Sequence, residues 1–141
     1  YKFYRIAFVS WTVFIMILLL LPGSLLSDRK IEAITIPCSD KIVHFFLFFV
    51  FAFLLHICLK RGTNLDRGKI VLVCILSSFV YGLAGETMQY LTYDLFKRTF
   101  NLYDLLADVL GALFALVFLE SRKKKMNSEK KKTDSEKKFL N

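Results

Sequence analysis

Residues 42–59 read IVHFFLFFVFAFLLHICL, eighteen positions without an Asp, Glu, Lys or Arg. Wound as a helix at about 1.5 Å per residue, such a run spans roughly 27 Å, close to the ~30 Å hydrocarbon core of a bilayer. It is apolar on every side rather than along one stripe, which excludes a surface helix of a soluble bundle. Three further runs share this character. One covers residues 6–21 and stops at Pro22-Gly23, one covers 70–91, and one covers 105–119. The expected fold is therefore an all-α membrane protein, a four-transmembrane-helix bundle.

Composition agrees with this reading. The 141 residues are 55% hydrophobic and include 15 Phe, while only 23% are charged. The charges gather between the apolar runs and at the C-terminus, because a charge is costly in hydrocarbon. The formal net charge of +8 does not point to nucleic acid, since nine of the 20 basic residues follow Ser121. That distribution suits the anionic face of a lipid bilayer. Residues 1–120 are expected to form the membrane domain. Residues 121–141 are expected to form a basic, disordered cytoplasmic tail, being polar and low in complexity. Cys58 and Cys74 fall inside apolar runs and read as small buried hydrophobes, while Cys38 lies in a loop. No zinc spacing or CxxC pair is present. The first run has a basic start at Lys2 and Arg5, but no small-x-small cleavage site follows it, so it is expected to stay as a span.

Orientation follows from the basic residues. Lys2 and Arg5, the loop bearing Lys60, Arg61, Arg67 and Lys69, and the nine tail residues all fall on one side. Arg29, Lys30, Lys41, Lys97 and Arg98 fall on the other. The positive-inside rule then places both termini in the cytoplasm and the loops near residues 22–41 and 92–103 outside.

In this topology the polar residues converge on the outer side. Asp40, Lys41 and His44 begin span two, Glu86 and Gln89 end span three, Lys97 and Arg98 lie in the second outer loop, and Asp104 and Asp108 begin span four. Spacings of three and four put these residues on common helix faces. Gly82, Gly85, Gly111 and Ala115 lie beside them and are expected to let spans three and four pack closely. Glu86 lies about 16 residues, roughly 24 Å, into its span. An unpaired carboxylate there would cost ~2.5–3.5 kcal/mol on insertion scales, so it must be protonated or paired, with His44, Lys41 and Arg98 as available partners. Asp40 and Asp104 also sit where a helix N-cap would, and Gln89 could serve to hold two helices together. His56 reads as interfacial beside Lys60, Trp11 as packing, and Tyr1, Tyr4, Tyr90, Tyr93 and Tyr103 as an aromatic belt.

Three blocks in order, Asp40-Lys41-Ile42-Val43-His44-Phe45, then Tyr81-Gly82 with Glu86-Thr87-Met88-Gln89, then Arg98 with Asp104, Asp108 and Gly111, resemble the VanZ-like family of small bacterial membrane proteins. The resemblance covers about residues 40–118. It departs at Asp108, where the family usually carries Asn and this chain carries an acid. It implies a protein of the bacterial cytoplasmic membrane and cell envelope, with low-level teicoplanin resistance as the trait for which the family is named.

The residues leave three functions open, of which binding is the expected one, because residue types alone rarely define an enzyme. An outward polar cleft lined by Asp40, Lys41, His44, Glu86, Gln89, Arg98, Asp104 and Asp108 could bind a lipid-linked cell-wall precursor, a lipid headgroup or a glycopeptide. The same residues could form a membrane-embedded enzyme, with Glu86 or His44 as acid or base and Arg98 with Lys41 holding a phosphate or carboxylate. The chain could also be a small accessory subunit. No G-x-S-x-G, P-loop or H-E-x-x-H motif occurs. No cofactor and no metal is expected, because one His with carboxylates on separate helices is a weak ligand set.

Overall fold

A computed structural model describes residues 2–20, 39–92 and 101–139, apart from the side chains of residues 39, 40, 134 and 136–139. The described residues form helices α1 (Lys2–Leu19), α2 (Ser39–Gly62), α3 (Arg67–Leu91) and α4 (Leu102–Phe139). All four are long and apolar enough to cross a membrane. Each apolar run is helical, and the helices reach past the ends of the runs because backbone N–H and C=O groups stay paired into the polar interface. α1 is the exception at its C-terminal end. It stops at Leu19, two residues before the run does.

The tail requires a correction. Residues 121–139 continue α4 rather than forming an unstructured segment. No Gly or Pro follows Gly111, and residues 121–139 include eight Lys, two Glu, one Arg and one Met. All four are good helix formers, so nothing in the chain stops the helix at the end of the apolar run. The described side chains from Ser121 onward are exposed, so this extension buries no side chain among the described residues.

The bundle is apolar outside and polar in places within. Ile6, Val9, Ile17, Phe46, Val80 and Val117 are each more than half exposed, whereas His44, Ser78, Glu86, Gln89, Asp104 and Asp108 are buried. That inversion suits lipid as the surrounding solvent, because ionisable groups in membrane helices turn inward. The apolar core centres on Ile15, Phe48, Phe51, Cys74 and Leu116. Phe51 stacks on Tyr81 with ring centroids 5.3 Å apart and planes at 7°. Cys74 is buried as expected, and Cys58 is half-buried.

Among the described residues, hydrogen bonds to main-chain carbonyls tie α1 to α2 and α3. Trp11 Nε1 donates to the Leu47 carbonyl at 3.0 Å. Tyr81 donates to the Thr12 carbonyl at 2.6 Å, and Gln89 Nε2 to the Leu19 carbonyl at 2.9 Å. Trp11 thus anchors a helix as well as packing. Gln89 satisfies one of the carbonyls left without an intrahelical partner at the end of α1.

The small residues do not all act where the sequence suggested. α2 and α4 form the most extensive helix pair. Gly111 lies against the backbone of Phe45 and Phe49 in α2. Ala112 and Ala115 cluster with Ala52, also in α2. Gly85 faces Leu19 of α1, and only Gly82 looks across to α4, at Asp108 and Leu105. Helical period identifies a small-residue face, but it does not identify which neighbour occupies that face.

Three outcomes follow. Gly111→Val should lower the thermal midpoint of the detergent-solubilised protein by the equivalent of about 2–3 kcal/mol, because the added side chain meets backbone rather than a yielding side chain. Gly68→Ala, with nothing within 4 Å of the new methyl, should leave the midpoint unchanged or raise it. Deleting residues 130–141 should leave the amount of membrane-inserted protein unchanged in a fractionation assay, since the described side chains there are exposed.

Candidate functional site

The polar residues gather at the end of the bundle where α2 and α4 begin. These two helices run parallel, and two charged rungs set their register. Lys41 Nζ lies 3.1 Å from Asp104 Oδ1, and His44 Nδ1 lies 2.9 Å from Asp108 Oδ1. Sequence separations of 63 and 64 differ by one residue over a helical turn, as parallel helices in register require. One turn farther along, Gly111 brings the α4 backbone against Phe45. The spacing of three on α2 and four on α4 allows both rungs to form on a single seam.

α3 supplies the third side. Glu86 is 1% exposed, and its Oε2 accepts the Asn101 backbone N–H at 2.8 Å. Asn101 is the residue just before α4. Its Oδ1 accepts the Tyr103 N–H at 3.0 Å, and its carbonyl accepts the Asp104 N–H at 3.0 Å. Asn101 is therefore the N-cap of α4. Asp104, expected as a candidate cap, instead lies inside the first turn and pairs with Lys41. The positive end of the α4 dipole is thus presented to the Glu86 carboxylate. Asn101 is the functional-site residue that the sequence reading missed. The stretch Asn101-Leu102-Tyr103-Asp104 carries the signal, an N-cap type followed three residues later by an acid, ahead of an apolar run.

Asp108 is 1% exposed and reaches between helices. Its Oδ1 meets His44, while its Oδ2 lies over Gly82 of α3. A Cβ at Gly82 would stand 2.5 Å from that oxygen, so the acid needs glycine there. With Asp108 as carboxylate, the His44 proton belongs on Nδ1 and the lone pair on Nε2. His44, Glu86 and Asp104 each offer one potential ligand atom, and these atoms all lie within 4.8 Å of one another. Glu86 Oε1 and Asp108 Oδ2 are buried and have no hydrogen-bond partner among the described residues.

The structure thus brings Lys41, His44, Glu86, Asp104 and Asp108 together. Gln89 lies on the same helix as Glu86, but its amide is turned to α1. Arg98 and Lys97 lie outside the described residues, as do Cys38 and the side chain of Asp40. The expected open cleft is corrected to a closed cluster. His44, Glu86, Asp104 and Asp108 are all under 5% exposed, and only Lys41 keeps a partly exposed side chain. The physical reason is that pairing across α2, α3 and α4 draws the three helices together over the charges.

A cavity of about 470 Å³ opens at the opposite end, lined by His56, Lys60, Arg61, Arg67 and Lys123 among apolar residues. Glu120 closes one side of it by pairing with Arg67. His56, read as interfacial, borders this cavity with its Nδ1 buried and unpartnered among the described residues.

Comparison with known proteins places the chain. It is similar to an uncharacterized protein of the fission yeast Schizosaccharomyces pombe, with 38% identity over 90 residues, covering 60% of this chain and 49% of the yeast protein. The chain spans about half the length of that curated relative. No solved structure matches. The family model described as VanZ/LLP1 matches residues 6–122, from within α1 to past the apolar part of α4, and this chain is a multi-pass membrane protein that belongs to the VanZ/LLP1 family.

Proposed function

We propose that the buried cluster acts on the polar headgroup of a lipid-linked envelope substrate by acid/base chemistry. The observation that carries this reading is the His44–Asp108 pair, 2.9 Å apart and nearly inaccessible, with the Glu86 and Asp104 carboxylates beside it. An Asp on Nδ1 orients an imidazole and holds its Nε2 ready to take a proton, a role the Asn more usual in the family would fill less strongly. Lys41 is the partly exposed cation at the rim and suits a phosphate headgroup, with Arg98 from the adjoining loop as its proposed partner. In such a step His44 takes the proton of the attacking water as its oxygen forms the new bond to phosphorus, the ester bond to the headgroup breaks, and the imidazolium returns that proton to the oxygen that leaves. A lipid-anchored substrate can reach this depth by moving sideways in the bilayer. The closed state described here then opens on substrate entry.

A second reading is favoured by that closure. A cluster so extensively paired also suits a protein that binds a cell-wall precursor or a glycopeptide without transforming it. In both readings the cluster faces away from the cytoplasm and both termini face it, as the basic residues at Lys2, Arg5, Lys60, Arg61 and along the end of α4 suggest.

Reporters of sidedness fused after Asn141 and inserted near Asp28 should read cytoplasm and exterior respectively; the reverse result would move the cluster to the cytoplasmic face. In proteoliposomes carrying a polyprenyl-phosphate-linked sugar, the full chain should release the headgroup. His44→Ala should slow that release by roughly 10²–10⁴-fold with binding retained. Asp108→Asn should slow it by a smaller factor. Binding without release by the unaltered chain would favour the second reading, and neither binding nor release would end both.

A further inference from the structure

We propose that His44, Glu86 and Asp104 are the ligands of a divalent metal ion, of the Mn²⁺ or Zn²⁺ type. The sequence alone spoke against a metal because the ligands sit on three separate helices. The structure removes that objection by bringing one potential ligand atom from each within 4.8 Å of the others. A metal with bonds of about 2.1 Å places adjacent ligands about 3 Å apart and opposite ligands about 4.2 Å apart, so rotamer adjustments of about an ångström would complete the site.

Each ligand is already fixed from behind. His44 Nδ1 is held by Asp108, which orients the ring in the way carboxylates commonly orient metal-bound histidines. Glu86 Oε2 is held by the Asn101 N–H, and Asp104 Oδ1 by Lys41. The opposite oxygen of Glu86, Oε1, is buried and unpartnered among the described residues. A buried carboxylate oxygen without a donor is costly and points to a ligand that the polypeptide itself does not supply. Charge agrees. Among the described residues the cluster holds three carboxylates, one ammonium and a histidine, and a divalent ion with a neutral imidazole brings the group to neutrality. One imidazole with two carboxylates suits Mn²⁺ or Zn²⁺ better than an all-oxygen ion such as Ca²⁺. This inference rests on the acid/base reading for its role but changes the part of His44 in it. With Nε2 on the ion the imidazole is a ligand, the ion would supply Lewis-acid polarisation of a phosphate oxygen or a water, and a neighbouring carboxylate rather than His44 would take the proton.

The test uses Mn²⁺ alone and the full chain in nanodiscs, stripped with EDTA and dialysed. Equilibrium dialysis should give one Mn²⁺ per chain, and pulsed electron paramagnetic resonance should show ¹⁴N coupling from one imidazole. Glu86→Gln should weaken binding at least tenfold, and Asp108→Asn by roughly 10–100-fold through loss of ring orientation. Circular dichroism checks that the variants fold. If Glu86→Gln does not fold, the ¹⁴N signal of the unaltered chain decides by itself. No stoichiometric Mn²⁺, or bound Mn²⁺ without ¹⁴N coupling, overturns the site. Mn²⁺ bound at His44 without headgroup release keeps the metal and removes the acid/base reading. Release that survives complete stripping does the reverse.

Discussion

Three carboxylates, Glu86, Asp104 and Asp108, are buried at one end of an otherwise apolar bundle, and each must be met by a donor or a cation. In a low-dielectric surrounding the alternative costs several kcal/mol per group. This requirement explains much of the arrangement. Asp104 and Asp108 set the register of α4 on α2 through Lys41 and His44, and Glu86 brings α3 to the head of α4 through Asn101. The apolar contacts then follow, because van der Waals packing in lipid has little preference between helix and acyl chain until polar pairs and small residues fix the seam.

Gly82 and Gly111 are the steric counterpart of those pairs. Gly111 lets the α4 backbone approach α2 directly below the second rung, and Gly82 leaves room for the Asp108 carboxylate between α3 and α4. The acid at position 108, where the sequence resemblance implies Asn, adds a charge that His44 answers at 2.9 Å. An amide could still accept a hydrogen bond there, but it would neither stabilise a protonated ring nor hold the ring's tautomer as firmly. The departure therefore sharpens the chemistry available to His44. The two ends of the bundle also differ in kind. One is a closed cluster of paired acids and bases, and the other is a cavity of about 470 Å³ rimmed by cations.

The sequence by itself determined the four helices, because a run of eighteen or so apolar residues has few other stable states near a bilayer. It also determined which residues share a face, since Lys41 with His44 and Asp104 with Asp108 follow from helical period alone. Family membership was legible in the same short blocks. What period cannot carry is the identity of the neighbour across a face. Only the tertiary structure decided that Gly111 and Ala115 meet α2, that Gln89 serves α1, and that Asn101 rather than Asp104 caps α4. It likewise decided that the charges close into a buried cluster instead of lining an open cleft. Those outcomes depend on pairing between groups far apart in the chain, where the cost of an unmet charge selects one helix arrangement among several that local pattern would allow.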